Sequence, residues 1–216
     1  MRALRNLAFA AAALLALATA AAAEVRILAF GDSLTEGYGL PVSDGFVPQL
    51  QRWLWAHGAA DATVINGGVS GDTTAGGLAR IDWSLTEDID GVIVALGGND
   101  MLRGLPTGAM RENLDGILTA IERRGLPVLL AGLPAPANYG EDYRREFRAM
   151  FRDLAEAHGT IYYRSFLAGM GNGRSMREVM RLMQPDGIHP NANGVQAIVG
   201  DIGPVVLELV AEARAR

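Results

Sequence analysis

Short apolar runs alternate with longer segments of helical periodicity along the chain. The runs of strand length and composition cover residues 24–30, 63–66, 91–96, 127–131 and 160–163. Apolar residues recur every three to four positions over 44–57, 73–85, 107–124, 142–157 and 191–213, which predicts helices, and a short helix is predicted near 176–182. Because strands alternate with helices throughout, we expect an α/β fold with one five-stranded parallel sheet between two layers of helices.

Residues 1–23 are predicted to be a signal peptide rather than part of this fold. Arg2 and Arg5 give a positive head, residues 7–17 form an apolar run, and residues 21–23 are alanines that suit cleavage. An uncleaved anchor is the alternative, but the run is rich in alanine and no strong stop-transfer flank follows it. We therefore expect an exported protein, periplasmic or secreted, whose mature domain covers residues 24–216.

Length, charge and cysteine content narrow the function classes. A chain of 216 residues suits one α/β domain with a substantial core. Its net charge is −5, or about −7 without Arg2 and Arg5, which argues against nucleic acid as a partner. The absence of cysteine removes disulfides, thiolate catalysis and thiolate metal sites. The loop at 67–74 lacks the lysine of a phosphate-binding loop and the spacing of a dinucleotide motif, so no nucleotide cofactor is predicted.

Three candidate residues follow predicted strands. Ser33, Gly71 and Asn99 each come after an apolar run, so all three should face the carboxyl edge of the sheet, where open parallel sheets bind ligands. Taken alone, Ser33 is equally suited to capping a helix, and Asn99 to forming a turn. Backbone N–H groups and a side-chain amide at such an edge are also suitable donors to an oxyanion.

The third histidine lies in a distinctive turn. His57 and His158 are at predicted helix ends, whereas His189 follows Asp186 by three residues in a segment rich in Gly, Pro and Asn. Serine needs a base to become a nucleophile, and a carboxylate can hold that base in the correct tautomer. This pattern predicts Ser33 as nucleophile, His189 as base and then acid, and Asp186 as its orienting group. Oxyanion donors would be the N–H groups of Ser33 and Gly71 and the amide of Asn99.

Other interpretations of these residues remain. The Asp-x-x-His pair could form only a hydrogen-bonded turn, or two ligands of a metal, although no further histidine accompanies a matching carboxylate pair. The Gly-x-Ser-x-Gly elbow is absent, so the chain is not a typical α/β-hydrolase.

Four ordered blocks resemble the SGNH, or GDSL, hydrolases: Gly-Asp-Ser-Leu at 31–34, the segment 66–71, Gly-Gly-Asn-Asp at 97–100, and Asp-Gly-Ile-His-Pro at 186–190. Segments 33–39, 70–73, 101–104 and 138–140 are most similar to the thioesterase I / protease I / lysophospholipase L1 branch, which includes arylesterases. The resemblance implies a flavodoxin-like three-layer fold and no cofactor, and no metal site is predicted from the residues. It also implies the functional roles of Ser33, Gly71, Asn99, Asp186 and His189, with Gly71 chosen over Gly67 and Gly68 by its Ser-Gly-Asp context.

Together these features predict an exported serine hydrolase of acyl esters, and also of thioesters and lysophospholipids. An apolar groove for the acyl chain is expected between loops 101–106 and 133–139. The expected partners are small-molecule substrates, with transient contact to membrane lipids as their source, and the protein is expected to be a monomer. A carbohydrate O-deacetylase and a non-catalytic lipid-binding protein are the alternatives.

Overall fold

The computed structural model describes residues 24–135 and 139–216. The signal peptide predicted for residues 1–23 lies outside these ranges and stays a prediction.

Five parallel strands form one sheet in the order β2-β1-β3-β4-β5. Their bounds are β1 Val25–Gly31, β2 Ala62–Gly68, β3 Gly91–Ala95, β4 Val128–Ala131 and β5 Ile161–Tyr163. Every residue of β3 and β4 is buried, as expected for strands that are covered on both faces. The predicted α/β fold with a five-stranded parallel sheet is confirmed.

Helices cover both faces of the sheet. Their bounds are α1 Ser33–Glu36, α2 Phe46–Ala56, α3 Thr74–Ser84, α4 Gly98–Leu102, α5 Thr107–Glu122, α6 Glu141–His158, α7 Ala168–Gly171, α8 Met176–Met180 and α9 Ala192–Arg214. Helices α2 and α9 pack together on one face, and α6 packs on β4 and β5 and joins α5 and α3 in the other layer. These layers enclose the sheet as the sequence predicted.

The last helix is the one described segment that is long and apolar enough, by length and composition, to cross a membrane. Half of its most apolar window is buried inside the structure, and α9 contacts four strands of the sheet. This is how the core helix of a folded domain packs.

Three short helices, α1, α4 and α7, were not predicted individually. Each contains five residues or fewer, which is too short for helical periodicity to register. Helix α2 begins at Phe46 rather than residue 44 because a single 3-10 turn, Val42–Asp44, precedes it.

Gly31 is needed for space, not for a left-handed turn. It is absent from the glycines with positive φ, but a Cβ added to it would lie 2.8 Å from the Ala95 carbonyl oxygen and would also collide with the Thr35 hydroxyl. Glycine at this position therefore permits the close approach between β1, β3 and α1.

Strand register brings the candidate residues to one edge. Gly31 of β1 pairs with Gly68 of β2 and with Ala95 of β3, so the three strands end in one row. Strand order reverses between β1 and β3, the position at which open sheets of this type bind ligands.

Candidate active site

Ser33 is the first residue of α1 and lies just beyond the end of β1. The preceding residue, Asp32, caps the helix by accepting a hydrogen bond from the Leu34 N–H at 3.0 Å. This cap fixes the turn between strand and helix and leaves the Ser33 side chain partly exposed at the sheet edge.

The segment between α8 and α9 brings His189 to the same edge. The Asp186 carboxylate accepts hydrogen bonds from the N–H groups of Ile188 and His189, at 2.9 and 3.0 Å, and so closes the turn. These two bonds, together with that to the His189 imidazole, lower the pKa of Asp186 to about 2. The carboxylate therefore stays ionised across the neutral range.

Ser33, His189 and Asp186 form a continuous hydrogen-bonded chain. His189 Nε2 lies 2.9 Å from Ser33 Oγ, and His189 Nδ1 lies 2.7 Å from Asp186 Oδ2. An Asp186 carboxylate selects the tautomer with hydrogen on Nδ1, which leaves Nε2 to accept the serine proton. The geometry is that of a nucleophile, a general base and an orienting carboxylate.

Two further side chains hold the histidine turn against the loop after α1. The Gln184 amide donates to the carbonyl oxygens of Tyr38 and Pro190, at 2.8 and 3.0 Å. The ring of Tyr38 lies 4.7 Å from the imidazole of His189, centroid to centroid. Both contacts fix the imidazole relative to Ser33, and neither was predicted, because residues 38 and 184 are far apart in sequence and carry no shared motif.

Two backbone N–H groups at this edge are candidate donors to an oxyanion. Within residues 24–135 and 139–216, the N–H groups of Ser33 and Gly71 have no hydrogen-bond acceptor. Gly71 adopts φ +80°, a conformation that glycine reaches without steric cost, and its carbonyl accepts from Arg103 at 2.8 Å. The loop after β2 is thus held in a shape that leaves this N–H unpaired.

The Asn99 amide lies at the same edge but is already engaged. Its Nδ2 donates to the Asp72 carbonyl oxygen at 2.9 Å and to Asp32 Oδ2 at 3.3 Å. The second bond is longer than the usual range for N–H···O bonds and is correspondingly weak. A ligand oxygen at this edge could share the hydrogen that points to Asp32, while the bond to Asp72 holds the amide in place.

Asp32 is a buried carboxyl, and no cationic side chain among the described residues lies within hydrogen-bond distance of it. Burial raises its pKa to about 6, and the Asp72 charge adds to the rise, while the Leu34 N–H, the charge of His189 and the Asn99 amide oppose it. An acid of this strength beside Ser33 changes charge between mildly acidic and neutral pH.

Arg80 clamps the ends of β1 and β2. Its guanidinium bonds Asp72 Oδ2 at 2.6 Å and donates to the carbonyl oxygens of Gly31 and Gly67 at 2.9 and 3.0 Å. The same group lies 3.9 Å from the centroid of the Phe30 ring. Since Asp72 also holds Asn99, the clamp fixes the loop that carries Gly71.

The other two histidines are remote from this cluster. His57 ends α2 and stacks on Trp53, with 3.8 Å between ring centroids, and His158 lies between Asp115 and Glu122. Across the ranges that the structure covers, no group of three or more His, Asp or Glu side chains could hold a metal ion.

Sequence reasoning missed the supporting residues Asp32, Arg80 and Gln184. The sequence did contain a signal for Asp32, because aspartate is a preferred cap residue and Asp32 directly precedes the short helix that carries Ser33. The sequence contained no signal for Arg80 or Gln184, since both donate to backbone carbonyls on other elements.

The chain is similar to one family of hydrolases over most of its length. The model of the GDSL-like Lipase/Acylhydrolase family matches residues 29–197. "Esterase TesA" of Pseudomonas aeruginosa is 36% identical over 197 residues, which cover 91% of this chain and 94% of that protein.

Two further relatives extend the comparison. "Thioesterase 1/protease 1/lysophospholipase L1" of Escherichia coli (strain K12) is 35% identical over 185 residues, 84% of this chain and 82% of that protein. Among solved structures, AlinE4, an SGNH-hydrolase family esterase, superposes with a TM-score of 0.70 at 41% identity, covering 86% of this chain and 96% of that one.

Proposed function

The chain belongs to the GDSL-like lipase/acylhydrolase family, and from this membership and the site geometry we propose that it is a serine hydrolase of carboxylic acyl esters. The observation that carries the proposal is the unbroken hydrogen-bonded chain from Ser33 through His189 to Asp186, at 2.9 and 2.7 Å. We extend the proposal to thioesters and lysophospholipids, since a relative carries those activities in its name.

The reaction proceeds in two halves. Ser33 Oγ attacks the ester carbonyl while His189 Nε2 takes its proton, and a tetrahedral intermediate forms. Its collapse breaks the bond to the leaving group, which receives the proton from His189 and departs as an alcohol or thiol. Water then attacks the acyl-serine, His189 takes the proton of that water, and return of the proton to Ser33 Oγ releases the carboxylic acid.

Negative charge on the carbonyl oxygen would be met by three donors. The unpaired N–H groups of Ser33 and Gly71 are the first two, and the loosely bound Asn99 hydrogen, 3.3 Å from Asp32, is the third. One such donor contributes about 10²–10³-fold to the rate in serine hydrolases. In this proposal Asp32 and Asp72 orient Asn99 and do not touch the substrate.

Exposed apolar side chains lie on the segments that carry the candidate residues, which suits an acyl chain. The Tyr38 ring lies beside the His189 imidazole, and Ile188 precedes His189 in the chain. Val69 lies two residues before Gly71, and Leu102 at the end of α4 and Leu105 lie on either side of Arg103, which donates to the Gly71 carbonyl. All five side chains are exposed. Part of the predicted groove, residues 136–138 of loop 133–139, lies outside the described ranges, so the course of the acyl chain stays a prediction.

The test is hydrolysis of 4-nitrophenyl esters of increasing acyl length by the wild type, Ser33→Ala and His189→Ala. We expect both variants to lose activity by on the order of 10⁴-fold or more at an unchanged melting temperature. His158→Ala is the matched control, because this histidine also bonds carboxylates but lies away from Ser33, and it should keep wild-type turnover.

Two results would overturn the proposal. Wild-type turnover in Ser33→Ala or His189→Ala would show that Ser33 is not the nucleophile or that His189 is not the base. Activity confined to acetylated sugars would instead identify the carbohydrate O-deacetylase that the sequence left open.

A further inference from the structure

A cavity of about 1000 Å³ opens beside the outer strand of the sheet, away from the Ser33 cluster. Helix α6, strand β5 and helix α7 line it, and β5 pairs with β4 alone. Neither Ser33 nor His189 is among its lining residues. Leu133 and Pro134, which begin the loop predicted to border the acyl groove, also line the cavity, but the proposed hydrolysis gives its charged residues no role.

Four arginines line the cavity. Arg145, Arg148 and Arg152 are spaced three and four residues apart on α6, which places them on one face of the helix, and Arg164 follows β5. Such a concentration of positive charge is unexpected in a chain whose net charge is −5.

Two of these guanidinium groups have no carboxylate partner. Arg148 and Arg164 form no ion pair within the described ranges, and the residues outside those ranges include no Asp or Glu. Arg145 and Arg152 pair with Asp142 and Asp153, but these pairs lie at the surface, where such bonds contribute little. Glu141 is the one carboxylate in the lining, and it pairs with Arg144, so Arg148 and Arg164 are available to an anion and the two weakly paired arginines lie beside them.

The remaining lining is largely apolar. Leu167, Ala168 and Ala149 are partly exposed to the cavity, and Tyr162 presents its ring. Burial raises the pKa of the Tyr162 hydroxyl, and the charges of Arg152 and Arg164, which line the same cavity, oppose that rise. The cavity therefore combines an apolar surface with a cationic one.

We propose that this cavity binds an amphiphile that carries a phosphate group on an apolar chain. A phosphate monoester carries nearly two negative charges and accepts bidentate hydrogen bonds from arginine, which suits two unpaired guanidiniums with two more beside them. The apolar lining would take the first methylenes of the chain. A lysophospholipid or a phospholipid surface could supply such a head group only where the lipid phosphate is a monoester, and the site is independent of turnover at Ser33.

Arginines beside an edge strand such as β5 have a simpler role, since their charge discourages pairing with another sheet. That role requires no ligand, and it predicts that loss of Arg148 and Arg164 changes the association state only. The two accounts therefore differ in a binding measurement.

The experiment is calorimetric titration of the Ser33→Ala protein with dodecyl phosphate below its micelle concentration. We expect one site per chain, and binding weakened at least about tenfold by Arg148→Gln with Arg164→Gln. Arg123→Gln with Arg124→Gln is the matched control, because it removes the same charge from exposed positions at the end of α5 and should leave affinity unchanged. Lysine at 148 and 164 should restore part of the affinity.

Comparison ligands show which part of the amphiphile is recognised and whether it is bound as a monomer or at a membrane surface. Equal affinity for neutral dodecyl maltoside, or for inorganic phosphate, would overturn the combined apolar and phosphate recognition. Binding to vesicles of anionic phospholipid without binding of the monomer would identify a membrane surface and overturn the cavity site. Wild-type affinity in the doubly substituted protein, with or without a change in association state, would overturn the proposal outright.

Discussion

At the scale of single residues, ionisation of Asp32 lowers the free energy of unfolding, because this carboxyl is buried beside Ser33. Its pKa is about 6 against an ordinary 3.8. The folded protein therefore holds this proton more tightly than the unfolded chain does, and the contribution of Asp32 to the free energy of unfolding falls as the pH rises from about 4 to 6. Above pH 6 the cost levels off on the order of 3 kcal/mol.

Asp32→Asn should remove this cost and also impair catalysis. We expect the stability of the variant relative to wild type to increase between pH 4 and pH 7, while turnover decreases because Asn99 loses a carboxylate acceptor. Chemical denaturation at several pH values measures the first effect and ester hydrolysis the second. The exposed control Asp82→Asn should show neither change, and a stability difference independent of pH would contradict the burial argument.

Residues whose role follows from local chemistry were predictable, and residues that act through distant backbone were not. Asp186 and His189 are three residues apart, so their interaction could be predicted from one turn. The bond between Ser33 and His189 spans 156 positions and needed the fold as well as the pattern. Gln184 reaches Tyr38 over 146 positions through a carbonyl oxygen, an acceptor that every residue possesses.

At the scale of elements, the loop after β2 depends on the backbone conformation of Gly71. Gly71→Ala has room for its methyl group, since the nearest atom, Arg103 Nη2, would lie 3.8 Å away, but φ +80° is strained for alanine. We expect a stability loss of about 1–3 kcal/mol. A shift of the N–H that relieves this strain should lower kcat by up to about 10²–10³-fold.

Gly58→Ala is the matched control for the strain. Gly58 has φ +91° and nothing within 4 Å of the added methyl, and it lies beyond the end of α2. The melting temperature of the Gly58→Ala protein should fall by about as much as that of Gly71→Ala, while its kcat stays at the wild-type value. Equal kcat losses in both variants would show that strain, and not the Gly71 N–H, controls the rate.

The long elements were predicted because burial imposes a period on many residues at once. Helices α5 and α6 and strand β3 carry enough apolar positions for their periods to stand out. Helices α1 and α4 are specified by a cap and by Gly97 at φ +114°, features that depend on one residue each. Both short helices border the candidate site, so local boundaries were least certain where the chemistry lies.

At the scale of the whole molecule, the predicted leader can be tested without reference to activity. Strand β1 begins at Val25, directly after the predicted cleavage point, so removal of residues 1–23 leaves every described element intact. We expect the full chain, expressed in a bacterial host, to yield a periplasmic or secreted protein that begins near Glu24, as measured by intact mass. Recovery of cytoplasmic protein that still contains residues 1–23 would contradict export.

The most direct test of the account is covalent labelling with an alkyl fluorophosphonate, followed by peptide mass mapping. We predict one adduct per chain, on Ser33, absent from Ser33→Ala and formed on the order of 10³-fold more slowly, or slower still, in His189→Ala. An adduct on another residue, or wild-type labelling without the imidazole, would contradict activation of Ser33 by His189.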